Sequence, residues 1–292
     1  MKGPKPILKW VGGKTQIMEH IVFPNEIENY HEPFLGGGSV LFTLLDKIHK
    51  GEITVNEVYA SDTNETLVYL YKNIQNNHHE LYNELSPIIK QFNEINGNQV
   101  NRNPETLAEA KTSKESYYYF IRKMYNQLDN NRDVVASALF IFLNKTCFRG
   151  LYRVGPNGFN VPYGNNKNPE IINKQHLEEI HELIQGVIFE WCDFTIALKR
   201  VKKGDFVYLD PPYVPVNKSS FVGYTSGGFN KHQELFDILK KAEFSFIMSN
   251  SDAKIVKDNF NNYKVITAKR NINSKNPEST AKELLVFNLS HL

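Results

Sequence analysis

The run Phe206-Val207-Tyr208-Leu209, set between Asp205 and Asp210-Pro211-Pro212-Tyr213, restricts the fold more than any other stretch of the chain. It is a short apolar, β-prone run, the pattern of a strand buried in a parallel sheet. Two prolines then stop it, because each fixes φ and neither offers an N–H to the ladder. A carboxylate, a rigid turn and an aromatic ring therefore arrive together at the carboxyl end of a strand. In open α/β sheets that rim is where ligands bind. An isolated Pro-Pro would mark an ordinary strand exit, but Asp-Pro-Pro-Tyr after such a strand is much rarer.

The N-terminal third supplies more of the same sheet. Tyr30-His31-Glu32-Pro33-Phe34-Leu35-Gly36-Gly37-Gly38-Ser39-Val40 leads into an apolar, helix-like run ending at Ile48. Strand, glycine loop and helix make the start of a nucleotide-binding α/β unit. It is not the dinucleotide fingerprint, since Leu41 stands where the third glycine is required. A second strand, Val58-Tyr59-Ala60-Ser61, ends in Asp62. That acid either caps a helix over 64–74 or accepts hydrogen bonds from ribose hydroxyls. The opening Leu8-Lys9-Trp10-Val11-Gly12-Gly13-Lys14-Thr15 contains Gly-Lys-Thr, but Leu8 stands where a phosphate loop needs glycine. A nucleoside triphosphatase is thereby disfavoured. The paired glycines let backbone approach a ligand closely, with Trp10 and Lys14 beside it. The bland alternative is a turn before a helix over 15–22.

From about 75 to 143 strand signals vanish, and 115–125 and 134–142 read as helices. Tyr117-Tyr118-Tyr119-Phe120 reads as a packed helix face, and 96–104 as a polar loop. This helical stretch interrupts the sheet. It leaves through a loop over 144–164 in which arginines and aromatics alternate with Gly/Asn turn signals, Pro156-Asn157-Gly158 marking a hairpin tip. The sheet resumes with a strand over 187–194, ending in Asp193 and Phe194, and then the Phe206 strand. Residues 221–229 form a Gly/Ser/Tyr loop of the kind that closes over a substrate. A helix over 231–242, a strand over 244–250 and an antiparallel pair over 263–268 and 283–289, joined by a basic loop, complete the chain.

At 292 residues, 41% hydrophobic and 23% charged, this is a folded soluble protein with one large or two small domains. No apolar run approaches the roughly 20 residues of a membrane span and no signal peptide is visible, so no membrane association and no secretion are expected. Cys147 and Cys192 are too few for a metal cage, and no metal is expected; a reducing cytoplasm fits. The net charge of +2 decides little, but its distribution does. Lys2, Lys5, Lys9 and Lys14 crowd the first 18 residues without an acid. Lys145, Arg149, Arg153, Lys167 and Lys174 face Glu170 alone, and Lys264, Lys269, Arg270 and Lys275 follow Asp258. Three basic runs, each next to a motif, favour a polyanion partner.

The series Lys-Trp-x-Gly-Gly-Lys, Pro-Phe-x-Gly-Gly-Gly-Ser, Ser-Asp-x-Asn, a helical insert, Gly-Leu-Tyr-Arg with Phe-Asn-Val-Pro-Tyr-Gly, and Asp-Pro-Pro-Tyr resembles the Dam-type (D12 class, alpha-order) DNA adenine-N6 methyltransferases. The resemblance spans nearly the whole chain. It implies an α/β fold: a Rossmann-like sheet, mostly parallel with an antiparallel terminal strand, plus an inserted, mainly helical target-recognition domain. On this reading 1–74 and 169–292 form the catalytic and cofactor domain, and 75–168 the insert. S-adenosyl-L-methionine would be the cofactor, lined by Trp10, Lys14, Phe34, Gly36, Gly38, Asp62, Asp193, Phe194 and Asp210. Asp210, Pro211, Pro212 and Tyr213 would take the flipped adenine. Lys9, Phe148, Arg149, Leu151, Arg153 and Pro162 would face double-stranded DNA, with Phe148 filling the opened stack.

The chemistry suits those residue types. An adenine N6 is a poor nucleophile because its lone pair is delocalised into the ring. Asp210 and a backbone carbonyl beside Pro211 can each accept an N–H, turning the lone pair toward an electrophilic methyl. Tyr213 offers a stacking face worth roughly 1–3 kcal/mol. Neither cysteine follows a proline as in cytosine-C5 methyltransferases, which argues against thiolate attack. In relatives that act on GATC, Asn is usual where this chain has Arg149. GATC is the default site, and another AT-centred palindrome such as CATG is its rival. A methyltransferase for RNA or a protein amide, and a non-enzymatic DNA-binding module, are the alternative readings. A cognate restriction endonuclease, a monomeric or weakly dimeric state, and location in the cytoplasm or wherever the target DNA resides fit the same reading.

Overall fold

The structure, a computed structural model, describes residues 5–10, 12, 14, 17–166, 169–216, 229–269 and 280–290. The chain divides into two compact units, Met1–Gly13 with Asn64–Gln185, and Lys14–Thr63 with Gly186–Leu292. In chain order the elements are β1 (Glu26–Glu32), α1 (Ser39–His49), β2 (Thr54–Asp62), α2 (Glu65–Glu94), α3 (Leu107–Ala110), α4 (Lys114–Asn126), α5 (Val134–Thr146), β3 (Val154–Gly155) and β4 (Gly158–Phe159). There follow α6 (Lys174–Leu183), β5 (Val187–Trp191), α7 (Phe194–Ala197), β6 (Phe206–Leu209), α8 (His232–Lys240), β7 (Ser245–Ser251), α9 (Lys254–Asn259), β8 (Tyr263–Lys269) and β9 (Thr280–Asn288).

The second unit is built on a seven-stranded sheet of order β5-β2-β1-β6-β7-β9-β8. All neighbours pair in parallel except around β9, which runs against both β7 and β8. The fold is α/β, as expected, with a mostly parallel sheet and an antiparallel strand near its end. β6 lies in the middle, and Phe206, Val207, Tyr208 and Leu209 are all fully buried. The chain leaves β1 toward β2 on one side, while β6 pairs with β1 on the other through Tyr30 opposite Phe206. The crevice above β1 and β6 is thus the point where strand order reverses, the usual ligand position in such sheets. Tyr30 and Phe206 stack with centroids 6.3 Å apart, and Phe23 meets Phe206 edge-on at 6.1 Å. On α8, Leu235, Phe236 and Leu239 join Val207, Leu209, Phe246 and Met248 in one apolar cluster. The charge at the foot of β6 is compensated: buried Asp205 accepts from Asn29 at 2.9 Å and the Lys202 amide at 2.9 Å, and lies 3.1 Å from His31 Nε2.

The first unit is helical. In α5 every residue from Ala136 to Asn144 is buried, which follows from its nearly all-apolar sequence. Phe142 meets Phe92 of α2 at 5.2 Å and Tyr117 of α4 at 5.9 Å, both edge-on. Tyr117 and Tyr118 are buried, so the aromatic run on α4 is a packed face, as read from the sequence. Asp133, Ser113 and Asn173 cap α5, α4 and α6 through their side chains. β3 and β4 pair Val154 with Phe159 and Gly155 with Gly158, closing the predicted hairpin over Pro156 and Asn157.

Three expectations need adjusting. Within 15–22 the described residues form a single 3-10 turn, Met18–His20, followed by extended Ile21. β-Branched Ile17, Ile21 and Val22 ahead of Pro24 disfavour a longer helix. The strand placed over 187–194 ends at Trp191, because Asp193 turns the chain into α7 as its cap. Helix α2, Glu65–Glu94, is two helical runs joined across a kink at Asn77, so the helix read over 64–74 ends at that kink and a second run continues beyond it. The substrate-closing loop at 221–228 and the basic loop at 270–279 lie outside the described residues.

Candidate functional site

Two chain segments meet on the rim of the second unit's sheet. Asp210 leaves the end of β6 and receives the Lys14 ammonium, Nζ to Oδ2 2.7 Å. Lys14 is only 4% exposed, and its Nζ also lies 4.9 Å from the centroid of the Tyr213 ring. Burial raises the Asp210 carboxyl above its ordinary value, Lys14 pulling against that rise and Glu283 adding to it. The Tyr213 hydroxyl donates to Glu283 Oε2 at 3.0 Å, and burial lifts its pKa so that it stays a donor. Beneath them, Glu32 at the end of β1 accepts the Tyr30 hydroxyl at 2.7 Å. Burial pushes the Glu32 carboxyl up to about 8, against the pull of the Tyr30 hydrogen bond.

The loop after Asp210 is tied on every side. Asn250 Oδ1 accepts the Val214 amide at 3.0 Å, and Ser251 Oγ donates to the Val214 carbonyl at 2.5 Å. His232 Nε2 donates to the Pro212 carbonyl at 2.7 Å. The roles are set by chemistry, since a carbonyl oxygen only accepts.

The glycine loop stands above β1. Gly36 and Gly38 both have positive φ, and Gly38, at φ 71°, opens α1 with no side-chain cap. The first amides of α1 therefore have no side-chain cap from Gly38, a setting suited to an electronegative ligand. Asp62 does not cap α2. Its Oδ2 accepts the Gly36 amide at 3.0 Å and so ties the loop to the end of β2. Beside the loop an aromatic cluster forms: Phe34 stacks on Phe194 at 5.5 Å, and Phe229 meets both at 6.0 and 5.9 Å. Phe194 is buried and backs Phe34, the half-buried and more open face. Asp193 holds the Thr195 amide at 3.0 Å and the Lys231 ammonium at 3.2 Å. Partial burial pushes its carboxyl up, but those contacts outweigh it and hold it below its ordinary value.

The remaining predicted residues belong to the helical unit. Trp10 packs on Tyr152 with centroids 5.6 Å apart. The Asn144 side chain, fully buried, pairs with the Lys9 backbone at both ends, accepting from its amide at 2.8 Å and donating to its carbonyl at 2.9 Å. Lys9 passes so close to Gly150 that a Cβ there would lie 2.3 Å from the Lys9 Cβ. Gly150 has φ 64° and Arg149, unusually for a non-glycine residue, φ 57°. Phe148 is 43% exposed, with the Arg149 guanidinium 5.0 Å from its ring centre. Its amide donates to the Pro162 carbonyl at 2.8 Å, and the Leu151 amide to the Phe148 carbonyl at 3.2 Å. Arg153 donates from Nε to Asn160 Oδ1 at 2.6 Å and from Nη2 to the Asn160 carbonyl at 3.0 Å. That clamp holds two nitrogens of the exposed guanidinium on the hairpin. Cys147 is buried, and its thiol is pushed up to about 12, so it is no nucleophile.

The structure therefore brings Lys14, Phe34, Gly36, Gly38, Asp62, Asp193, Phe194, Asp210 and Tyr213 onto one unit, and Lys9, Trp10, Phe148, Arg149, Leu151, Arg153 and Pro162 onto the other. Sequence reasoning passed over His232, Asn250, Ser251 and Glu283. Each reaches the Asp210 loop only because α8, β7 and β9 are brought beside it, and no local spacing marks them.

The family model of the D12 class N6 adenine-specific DNA methyltransferases matches residues 10–273. The chain is 39% identical to the type II methyltransferase M.MjaIII of Methanocaldococcus jannaschii, over 97% of this chain and 99% of that one. It is 30% identical to the type II methyltransferase M1.LlaDCHI of Lactococcus lactis subsp. cremoris, over 97% and 95%. With a DNA adenine methylase of Haemophilus influenzae it shares 28% identity over 95% and 91%.

Proposed function

Given that the chain belongs to the D12 class of N6 adenine-specific DNA methyltransferases, we propose how its residues divide the work: the sheet unit holds S-adenosyl-L-methionine and the extruded adenine, and the helical unit reads double-stranded DNA. The observation that carries the reading is the Lys14–Asp210 ion pair at the end of β6, the strand that pairs with β1, from which the glycine loop departs.

S-adenosyl-L-methionine, when bound, supplies an electrophilic methyl group. The rim's residues suit such a cofactor: the backbone at Gly36 and Gly38 would approach it, the first amides of α1 and the carboxylates of Asp62 and Asp193 would bind its polar groups, and Phe34 would offer it an aromatic face. Asp210, ionised beside Lys14, accepts one N–H of the target amino group. A backbone carbonyl beside Pro211 accepts the second N–H. Together they turn the nitrogen lone pair out of conjugation, and Tyr213 stacks on the base. No covalent enzyme intermediate is needed, only positioning and electrostatics. Extruding the base costs a few kcal/mol, offset by stacking and by contacts in the emptied duplex, where exposed Phe148 is the wedge. Arg153, held by Asn160, presents its outer edge to a guanine. Arg149 reads a neighbouring pair or holds a phosphate. The site is a short AT-centred palindrome, GATC by default.

The test is direct. Asp210→Ala should nearly abolish single-turnover methylation of a random-sequence duplex library while calorimetry shows S-adenosyl-L-methionine affinity kept within several-fold. A wild-type-like rate would remove Asp210 from the chemistry. Sequencing the methylated adenines on the wild-type library gives the recognition site.

A further inference from the structure

The bond from His232 to Pro212 does more than fill a carbonyl. Pro211 and Pro212 have φ fixed by their rings, so the soft backbone torsions between Pro212 and the Tyr213 side chain are ψ of Pro212 and φ of Tyr213. The direction of the Pro212 carbonyl reports the first of these, and His232 Nε2 holds it at 2.7 Å. The same imidazole meets the Phe229 ring edge-on at 4.7 Å, and Phe229 in turn touches Phe34 and Phe194. His232 is half-buried and is the first residue of α8, so its backbone is anchored by that helix. A single side chain therefore touches the aromatic wall of the glycine-loop crevice and the backbone that aims Tyr213.

We propose that His232 is a positioning residue that ties the cofactor half of the site to the target-base half by fixing ψ of Pro212, which acts together with the Glu283 and Lys14 contacts to aim the Tyr213 ring. The inference rests on the placing of the target base at Asp210 and Tyr213. Its hydrogen bond needs a donor and not a ring, which separates it from ordinary packing. His232→Phe keeps the aromatic contact with Phe229 and removes the donor. His232→Gln removes the ring and keeps an N–H able to reach the carbonyl.

Positioning through the donor predicts that His232→Phe lowers the single-turnover methylation rate by about 10- to 100-fold, the scale of a misplacement near 1 Å. Calorimetric affinity for S-adenosyl-L-methionine and filter-binding affinity for the duplex library should both stay within about threefold of wild type. His232→Gln should recover most of the rate. A purely packing role gives the opposite order, with Phe tolerated and Gln impaired, and that result overturns the proposal. So does a wild-type rate in both variants. Should His232→Phe fail to fold, His232→Leu makes the same comparison without the larger ring. Failure of both to fold, with His232→Gln folded, would show that the bond serves folding and also overturns it. If the base were held elsewhere, Asp210→Ala would stay active; failure of the present inference alone leaves Asp210→Ala inactive and His232→Phe at the wild-type rate.

Discussion

Tyr213 has a face and a hydroxyl, and each has its own partner. The ring lies under the Lys14 ammonium and the hydroxyl donates to Glu283. Stacking alone predicts that Phe serves as well as Tyr. The Glu283 contact changes that expectation: Tyr213→Phe should keep most turnover but lose about 1.5–3 kcal/mol of stability, the range for a hydrogen bond to a charged group. Tyr213→Ala should lose turnover as well. Chemical denaturation run beside single-turnover assays separates the two effects, and an unchanged midpoint in the Phe variant would remove Glu283 from the account. Glu32 makes a pH prediction. Its carboxyl is raised from 4.5 to about 8 by burial, so the native state keeps a proton that the unfolded chain releases. The stability this proton contributes is complete below the unfolded value and is lost as pH rises through about 8. Glu32→Gln, which keeps the neutral shape, should flatten the fall in Tm across that window; an unchanged slope would assign the fall to other groups. Asp210 is held above its ordinary value by burial and is proposed to accept the N–H as a carboxylate, the stronger acceptor, so turnover should fall as pH drops through a value higher than that of an ordinary aspartate. A pH–rate profile with its acid limb at an ordinary aspartate value would contradict this. Asp210 and Tyr213 were legible because an apolar run cut by two prolines is rare. Glu283 and His232 were not, because strand order and a loop crossing bring them in.

At the scale of elements, the turn Phe148–Gly150 stands out. Two successive residues there adopt left-handed backbone, Arg149 at 57° and Gly150 at 64°. For arginine that conformation costs roughly 1–2 kcal/mol, while asparagine tolerates it better. Arg149→Asn should therefore raise stability modestly whatever the residue reads. If Arg149 reads a base, the same variant should shift methylation among four-base sites. If it holds a phosphate, all sites should weaken alike and the salt dependence should flatten. The methylated-sequence logo of the variant decides between them. Gly150→Ala is expected to displace Lys9, given the 2.3 Å approach, and so to weaken DNA binding more than cofactor binding in parallel titrations. Buried strands and α5 were readable from unbroken apolar runs. The segment at 15–22 was not, because local β-branching competed with a helix-like spacing, and the strand at 187–194 was drawn too long because periodicity does not register a cap such as Asp193.

At the scale of the molecule, the sheet is assembled from distant pieces. Asn29 bonds Asp205 across 176 residues of chain, a closure that no local signal predicts. The glycine loop and Asp-Pro-Pro-Tyr were each visible, but that they share one crevice follows only from β1 pairing with β6. Helix α4 packs chiefly on its sequence neighbours α3 and α5, although α5 also reaches back to α2. Long loop closure slows such pairings, so α4 and α5 should gain amide protection before β1 and β6 during refolding. Pulsed hydrogen exchange would show the order, and simultaneous protection would count against it. The reversed course of β9 carries its own consequence. Because β9 enters at the rim where its parallel neighbours end, Glu283, just after its start, stands beside Ser251 and reaches Tyr213. A ribosome making this chain has thus released the glycine loop and Asp210 well before the partner of Tyr213 exists. The nascent protein can fold its glycine-loop crevice early, yet the proposed base platform is completed only when a residue 70 positions beyond Tyr213 has been made.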